Sequence, residues 1–229
     1  MASGRKVAVG VGCAALLGAI VHYVNRDVLH YAIYTPESFG RFWPTRMFII
    51  PHAFAAAVGI FAGLLQFSTY LRRRWPQWHR RVGYLYLFCC LIGAPAAIGL
   101  AFHSDCLVCR PSLGILALFW FATTMIAVLL ARRRDFAKHK QFMIRSFVYM
   151  NVFVVIRVAY DLFVRGEGVS DARILTEWIS VVVPILATEI WLTWVPTLTA
   201  GARPRVPHKP APVHVKDGSE RGQLAQTSD

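Results

Sequence analysis

Long apolar runs separated by short basic segments dominate this chain of 229 residues. A helix needs about 20 residues to cross a hydrocarbon layer of about 30 Å. Six stretches meet that length with mostly apolar side chains. We predict transmembrane helices at residues 7–24, 47–71, 82–104, 112–131, 140–164 and 176–198. The predicted fold class is therefore all-α, a polytopic membrane bundle of six helices.

The composition supports a membrane protein and excludes several other classes. Hydrophobic residues make up 56% of the chain and charged residues 16%, whereas soluble domains carry roughly 25% charged residues. The net charge of +13 would suggest nucleic acid on a polar surface, but here the charge lies between apolar runs. We expect membrane lipid as a partner and no nucleic acid, and we exclude a disordered chain and a disulfide scaffold.

The basic residues also predict an orientation. Of the 25 Lys and Arg, 17 fall on one side of the predicted spans and six on the other, while Arg145 and Arg157 lie inside the fifth span. Basic residues accumulate on the cytoplasmic side of membrane proteins. Both termini are therefore predicted to be cytoplasmic.

The first predicted span has two interpretations. Arg5 and Lys6 followed by an apolar run also describe a signal peptide. However, His22, Tyr23 and Asn25 stand where small cleavage-site residues would be expected. This favours a retained helix.

The C-terminal segment differs in composition from the spans. Residues 201–229 are rich in Pro, Gly, Ser and charge, which predicts a disordered basic tail and leaves residues 1–200 as the transmembrane domain. The sequence contains no Gly-rich phosphate loop, G-x-S-x-G elbow or H-E-x-x-H pair. It therefore names no enzymatic reaction.

Four histidines mark the ends of three predicted spans. His52 and His103 lie toward one face, and His79 and His139 toward the other. Imidazole is a good axial ligand of haem iron, and electron transfer across about 30 Å needs a relay. The arrangement looks like that of the transmembrane b-type cytochromes, including the ascorbate-reducing six-helix family. It predicts two stacked sites for haem b.

The same histidines have plainer explanations. His79 and His103 are 24 residues apart, or about 36 Å along a helix, which is longer than stacked haems on one helix require. His79 and His139 also lie in strongly basic segments with Trp75 and Trp78 nearby. Such residues rest at headgroup level and contact anionic lipid.

Other polar residues lie within the spans, where ionisable groups are costly unless they are paired or used. On the fifth span a polar and sulfur-bearing stripe should face the bundle interior. Arg157 and Asp161 are four residues apart and can pair with each other. The intramembrane polar candidates are Gln66, Arg145, Arg157, Asp161 and Glu189.

Two small features remain ambiguous. Gly59 and Gly63 allow a close approach either by a flat ligand, such as a macrocycle or quinone, or by a neighbouring helix. Cys106 and Cys109 have the spacing of metal ligands, but on an oxidising face they equally form a disulfide.

Several short motifs together resemble one family. They are Pro51-His52 with Gly59, Gln66-Phe67, L-R-R-R-W-P-Q-W-H-R-R-V-G-Y-L-Y at 71–86, Thr123-Thr124, H-K-Q-F-M-I-R-S at 139–146, and Arg157. They resemble a widespread bacterial family of predicted membrane proteins of unknown function over about residues 47–165.

The resemblance implies a helical bundle in the bacterial inner membrane. Its signature residues in this sequence would be His52, Gln66, Arg72, His79, Arg80, Gly83, Tyr86, His139, Met143, Arg145 and Arg157. His103, Cys106 and Cys109 do not belong to the pattern. The family carries no established reaction.

Three functions are open at this point. The first is electron transfer linked to haem b or quinone through the four histidines, with a membrane redox partner. The second is a small carrier with an intramembrane site of Arg, Asp, Glu and His. The third is a noncatalytic scaffold in which these charges form structural ion pairs, and any of the three allows a homo-oligomer.

Overall fold

The computed structural model describes residues 14, 15, 17–164 and 170–201, without the side chains of 199–201. All regular structure in these ranges is helical. Five helical segments there are long and apolar enough to cross a membrane: 36–66, 76–102, 107–132, 136–163 and 171–198. The prediction of an all-α, multi-pass bundle is confirmed.

Two predictions fall largely outside the described residues. The first predicted span, 7–24, is described only in its last part, and the C-terminal tail is described only at residue 201. The count of six spans, the fate of the N-terminus and the sides of the termini therefore stay predictions.

Nine α-helices occur in chain order among the described residues. They are α1 (17–23), α2 (Pro36–Phe39), α3 (Arg46–Gln66), α4 (Thr69–Arg74), α5 (Pro76–Phe102), α6 (Arg110–Arg132), α7 (Phe136–Phe163), α8 (Asp171–Glu189) and α9 (Val195–Gly201). A π-helical turn, Ile190–Trp194, joins α8 to α9.

Capping side chains mark the starts of several helices. The side-chain oxygens of Ser68, Asp135 and Ser170 each accept a hydrogen bond from the backbone amide three residues later, as N-caps do. Ser68 thereby starts α4, so the predicted helix 47–71 ends early, at Gln66. The helices α5 to α8 begin two to six residues before the predicted spans, because their first turns are polar and are not counted in the apolar runs.

The helices pack in an order that follows the chain. α3 packs mainly on α5, α6 lies between α5 and α7, and α8 packs on α7. α8 is the least enclosed of the candidate spans. Large apolar side chains remain on the outside of the bundle, where a membrane protein contacts lipid.

The core runs through the centre of this arrangement. Its largest fully buried side chains include Trp120, Tyr86, Leu116 and Met150. Ile20 from α1 is also completely buried in it. The described end of the first predicted span therefore packs on the bundle.

Small residues on α3 let α7 come close. A β-carbon added to Gly63 would lie 2.5 Å from Cδ2 of Phe147, and one added to Gly59 would lie 3.1 Å from Sδ of Met150. Both neighbours belong to the facing helix. Of the two interpretations of this glycine pair, helix packing is the one that the geometry supports.

We expect Gly63→Ala to destabilise the bundle by about 1–3 kcal/mol, because the methyl group overlaps the Phe147 ring in a packed core. Gly114→Ala on α6 is the matched control, since nothing lies within 4 Å of a β-carbon there, and the gain in helix propensity should leave its stability equal or higher. Thermal unfolding in detergent, followed by circular dichroism, gives both values. Equal midpoints for the two variants would contradict this packing.

Candidate functional site

One face of α7 organises the polar interior. From one end to the other it presents His139, Met143, Ser146, Met150, Phe153, Arg157 and Asp161. Ser146 and Met150 are fully buried. The predicted inward stripe is therefore present where these two residues lie, and each neighbouring helix contributes partners to it.

The two ends of the bundle carry different chemical groups. The basic face comprises residues 67–75 and 132–135, and the disulfide face comprises residues 28–45 and 103–109. Their names refer to the arginines of α4 and to the bond between Cys106 and Cys109.

Two histidines and a glutamine meet at the basic face. Nδ1 of His139 donates to the carbonyl of Ala127 at 2.8 Å, and the amide of Gln66 donates to the carbonyl of His79 at 2.8 Å. His139 and Arg72 both lie close enough to His79 to interact with its imidazole electrostatically. Nδ1 of His79 is buried and has no hydrogen-bond partner among the described residues.

A chain of hydroxyl groups occupies the middle of the bundle. The hydroxyl of Tyr86 lies 2.7 Å from Oγ of Ser146, which lies 2.6 Å from Oγ1 of Thr124. Thr124 in turn donates to the carbonyl of Trp120 at 2.8 Å. This network connects α5, α6 and α7. Each of its three hydroxyls has a hydrogen-bond partner, as buried polar groups require.

Side chains of the protein fill the space beside three glycines. Phe147 and Met150 cover Gly63 and Gly59, and the carboxamide oxygen of Gln66 lies 3.5 Å from where a β-carbon on Gly83 would be. Side chains of the protein therefore occupy the space beside these three glycines.

His52 is buried near the disulfide face. Its Nδ1 lies 3.1 Å from the carbonyl of Gly93, and its ring meets Phe153 edge-on at 5.1 Å between centroids. A carbonyl only accepts, so Nδ1 carries the hydrogen and Nε2 of the neutral ring is left as an acceptor. No described residue is bonded to Nε2.

His103 lies apart from His52. It is exposed just after α5, where Nδ1 donates to the carbonyl of Gly99 at 2.8 Å. His52 contacts α5 at Gly93, ten residues earlier, which is about 15 Å along the helix. Two axial ligands of one iron need nitrogens about 4 Å apart. The structure does not bring this pair together, and the haem hypothesis stays a prediction.

Arg157 has no ion pair or hydrogen bond among the described residues, although it is half-buried. It lies one turn beyond Phe153 on the α7 face that meets His52, and its charge acts on both His52 and Tyr31. Burial raises the pKa of Tyr31, and the charge of Arg157 opposes that rise.

The proposed pairing of Arg157 with Asp161 is wrong. Asp161 instead accepts hydrogen bonds from the hydroxyl of Tyr23 at 2.8 Å and from Arg26 at 2.7 Å. The reason is tertiary, because the last residue of α1 and the segment after it place these two donors against the end of α7. Among the described residues, Arg157 is thereby left without a carboxylate.

Arg145 and Glu189 form an ion pair toward the basic face. Nε and Nη2 of Arg145 bind the two carboxylate oxygens at 2.6 Å and 2.9 Å, and Nη2 also donates to Thr193 at 2.8 Å. Tyr149 donates to the same carboxylate at 3.2 Å. This pair joins α7 to α8 and supports the scaffold interpretation for these two residues.

The loop at the disulfide face carries the two remaining candidates. Cys106 and Cys109 form a disulfide with 5.2 Å between Cα atoms, so of the two alternatives the structure has the covalent one. Among the described residues, no three His, Cys, Asp or Glu side chains are grouped as a metal ion would require.

Four charged residues near this loop were not among the predicted site residues. Arg173 binds both oxygens of Asp105, at 3.1 Å and 2.8 Å, and Arg41 lies 3.6 Å from Asp105. Buried Glu177 accepts hydrogen bonds from the hydroxyls of a serine on α6 and a tyrosine on α7, at 3.1 Å and 2.6 Å. One signal was available, since Arg173 and Glu177 are four apart and share one face of α8.

A comparison with known families covers α4 to α8 in full and α3 and α9 in part. The family model described as "Predicted membrane protein (DUF2306)" matches residues 49–198, about two thirds of the chain. The chain belongs to this family. No curated protein and no solved structure matches the chain.

The DUF2306 match agrees with the predicted class of protein. The matched range contains every predicted site residue from His52 to Glu189, and the family description names a membrane protein without an activity. The likeness to cytochromes and the signature residues stay predictions.

We expect Glu189→Gln to destabilise this DUF2306 protein by about 1–3 kcal/mol, because it removes a charge-assisted partner from a largely buried guanidinium. The double variant Arg145→Met with Glu189→Met should cost less than the sum of the two single changes, since neither charge is then left alone. Chemical unfolding of the four proteins gives the coupling energy. Additive costs would show that the two residues do not interact.

The stability that the disulfide-face loop gives to the fold should depend on pH. Arg173 beside Asp105 holds the pKa of that carboxyl below its usual range, and Arg41 adds to the effect. Such a contact stabilises the fold above about pH 4, and its contribution is lost as the pH falls through the lowered pKa of the folded state. Asp105 is half-exposed, so the effect should be small.

Thermal midpoints measured from about pH 7 down to about pH 3 test this contact. Asp105→Asn should lower the midpoint at neutral pH and flatten its dependence on acid. Glu37→Gln, at an exposed carboxylate with no partner among the described residues, is the control and should keep the wild-type profile. An unchanged profile in Asp105→Asn would rule out the contact as a source of stability.

Proposed function

We propose that the protein binds the head group of a lipid-soluble quinone at a site formed by His52 and Arg157, and acts as a quinone-linked membrane protein. The observation that carries this proposal is the lone charge of Arg157. Arg145 and Arg173 each bind a carboxylate with two hydrogen bonds, whereas Arg157 has no such partner among the described residues.

The chemistry of the two side chains suits a quinone. A guanidinium donates hydrogen bonds to a quinone carbonyl oxygen, and the free Nε2 of His52 accepts one from the hydroxyl of the reduced quinol. Because Nδ1 of His52 donates to Gly93, the ring is held in the tautomer that leaves Nε2 available. A hydrogen bond of this kind to the opposite nitrogen commonly orients a working imidazole.

The depth of the site suits an amphipathic ligand. His52 lies six residues after the start of α3 and Arg157 six residues before the end of α7, so each is about 9 Å from the disulfide-face end of its helix. A polar ring at that level would keep its isoprenoid tail in hydrocarbon. The aromatic residues of segment 28–45, including Tyr31 and Phe39, pack above it.

We expect Arg157→Gln to weaken binding of a short-chain quinone about tenfold to hundredfold, since a charge-assisted hydrogen bond contributes about 1.5–3 kcal/mol. His52→Leu should weaken quinol binding more than quinone binding, because only the quinol donates to Nε2. Quenching of tryptophan fluorescence in detergent-solubilised full-length protein gives the affinities. Arg132→Gln, at an exposed arginine on the basic face, is the control and should bind as the wild type does.

Unchanged affinity in both site variants, at wild-type helix content and thermal midpoint, would overturn the proposal. Binding of an aromatic carboxylate without any binding of quinone would also overturn it. That result would favour the second candidate, an organic-anion carrier, because the unpaired charge of Arg157 equally suits a formal anion.

A further inference from the structure

Short helix α4 lies at the membrane surface between two spans. It follows the end of α3 at Gln66 and precedes the start of α5 at Pro76. A surface concavity of about 410 Å³ lies against it, lined by Thr69, Tyr70, Arg73 and Arg74. The concavity is shallow and widely open to the surroundings.

The charges in this concavity are unbalanced. Arg73 and Arg74 are exposed and have no ion pair among the residues that the structure describes. The sequence contains no Asp or Glu between Glu37 and Asp105. Among the described residues, no carboxylate neutralises these two arginines, so the concavity attracts anions.

The remaining lining groups indicate what kind of anion fits. Guanidinium groups match the oxygens of a phosphate with paired hydrogen bonds, and the hydroxyls of Thr69 and Tyr70 are further donors. Tyr70 is 64% exposed and meets Trp75 edge-on at 5.5 Å between ring centroids. Exposed tyrosine and tryptophan at the end of a span are typical of the headgroup level of a bilayer.

We propose that this concavity binds the phosphodiester of an anionic membrane phospholipid. Arg73 and Arg74 hold the phosphate, Thr69 and Tyr70 donate hydrogen bonds to it or to its headgroup, and Tyr70 and Trp75 lie against the glycerol region. The site is separate from His52 and Arg157, which lie toward the opposite face of the bundle. It therefore stands or falls independently of quinone binding.

The test uses the full-length protein in phosphatidylcholine nanodiscs that contain a trace of pyrene-labelled lipid. Energy transfer from tryptophan should be greater to pyrene-phosphatidylglycerol than to pyrene-phosphatidylcholine. The double variant Arg73→Gln with Arg74→Gln should lose about tenfold in this preference, since each basic residue near an anionic surface contributes to binding. Raising the salt concentration should weaken the wild-type preference only in part if the arginines contact the phosphate directly.

The matched control is Arg132→Gln with Arg133→Gln, which removes the same charge from exposed positions on the same face. Retention of the lipid preference in this control, with its loss in the α4 variant, supports the proposal. Equal losses in the two double variants would overturn it and indicate diffuse attraction to the surface. Displacement of the labelled phosphatidylglycerol by millimolar inorganic phosphate would also overturn it, since the site would then serve a soluble phosphate.

Discussion

The face of α7 that carries polar and sulfur-bearing groups has to be enclosed by other helices, because hydrocarbon offers no partners for such groups. Glycines on α3 let Phe147 and Met150 reach the backbone of the facing helix. On the same face of α7, Ser146 lies beside Tyr86 of α5 and Thr124 of α6, and Phe153 lies beside His52 of α3. The hydroxyl network therefore depends on how α5, α6 and α7 pack together, and the surroundings of the buried imidazole depend on how α7 packs against α3.

Charged side chains in this bundle divide into two groups. Arg145, Arg173 and Arg26 each bind a carboxylate, and these pairs connect α7 to α8, the disulfide-face loop to α8, and the segment after α1 to α7. Such pairs offset the cost of placing charge near hydrocarbon. Arg157 differs from them because Asp161 is already occupied by Tyr23 and Arg26. A half-buried cation without a counter-charge is a common mark of a ligand site in membrane proteins.

The small helix α4 illustrates how one capping residue changes the surface of the bundle. Ser68 ends the continuity of the apolar run that would otherwise have reached residue 71, since its hydroxyl accepts from the amide of Leu71. The three arginines that follow Leu71 are then carried by a separate helix at the surface. Apolar length alone could not predict this break, because the run from Gln66 to Leu71 contains no charged residue.

Local sequence patterns suffice to show that this chain is a helical membrane protein, roughly where five of its spans lie, and which face of α7 turns inward. Those features follow from apolar length and from a period of 3.6 residues, which are local properties. The partners of the polar groups are not local. That Asp161 pairs with Arg26, Arg145 with Glu189, and Asp105 with Arg173 depends on residues between 44 and 135 positions apart. Only the packing of the helices brings such residues together, and among the described residues that packing gives Arg157 no carboxylate partner.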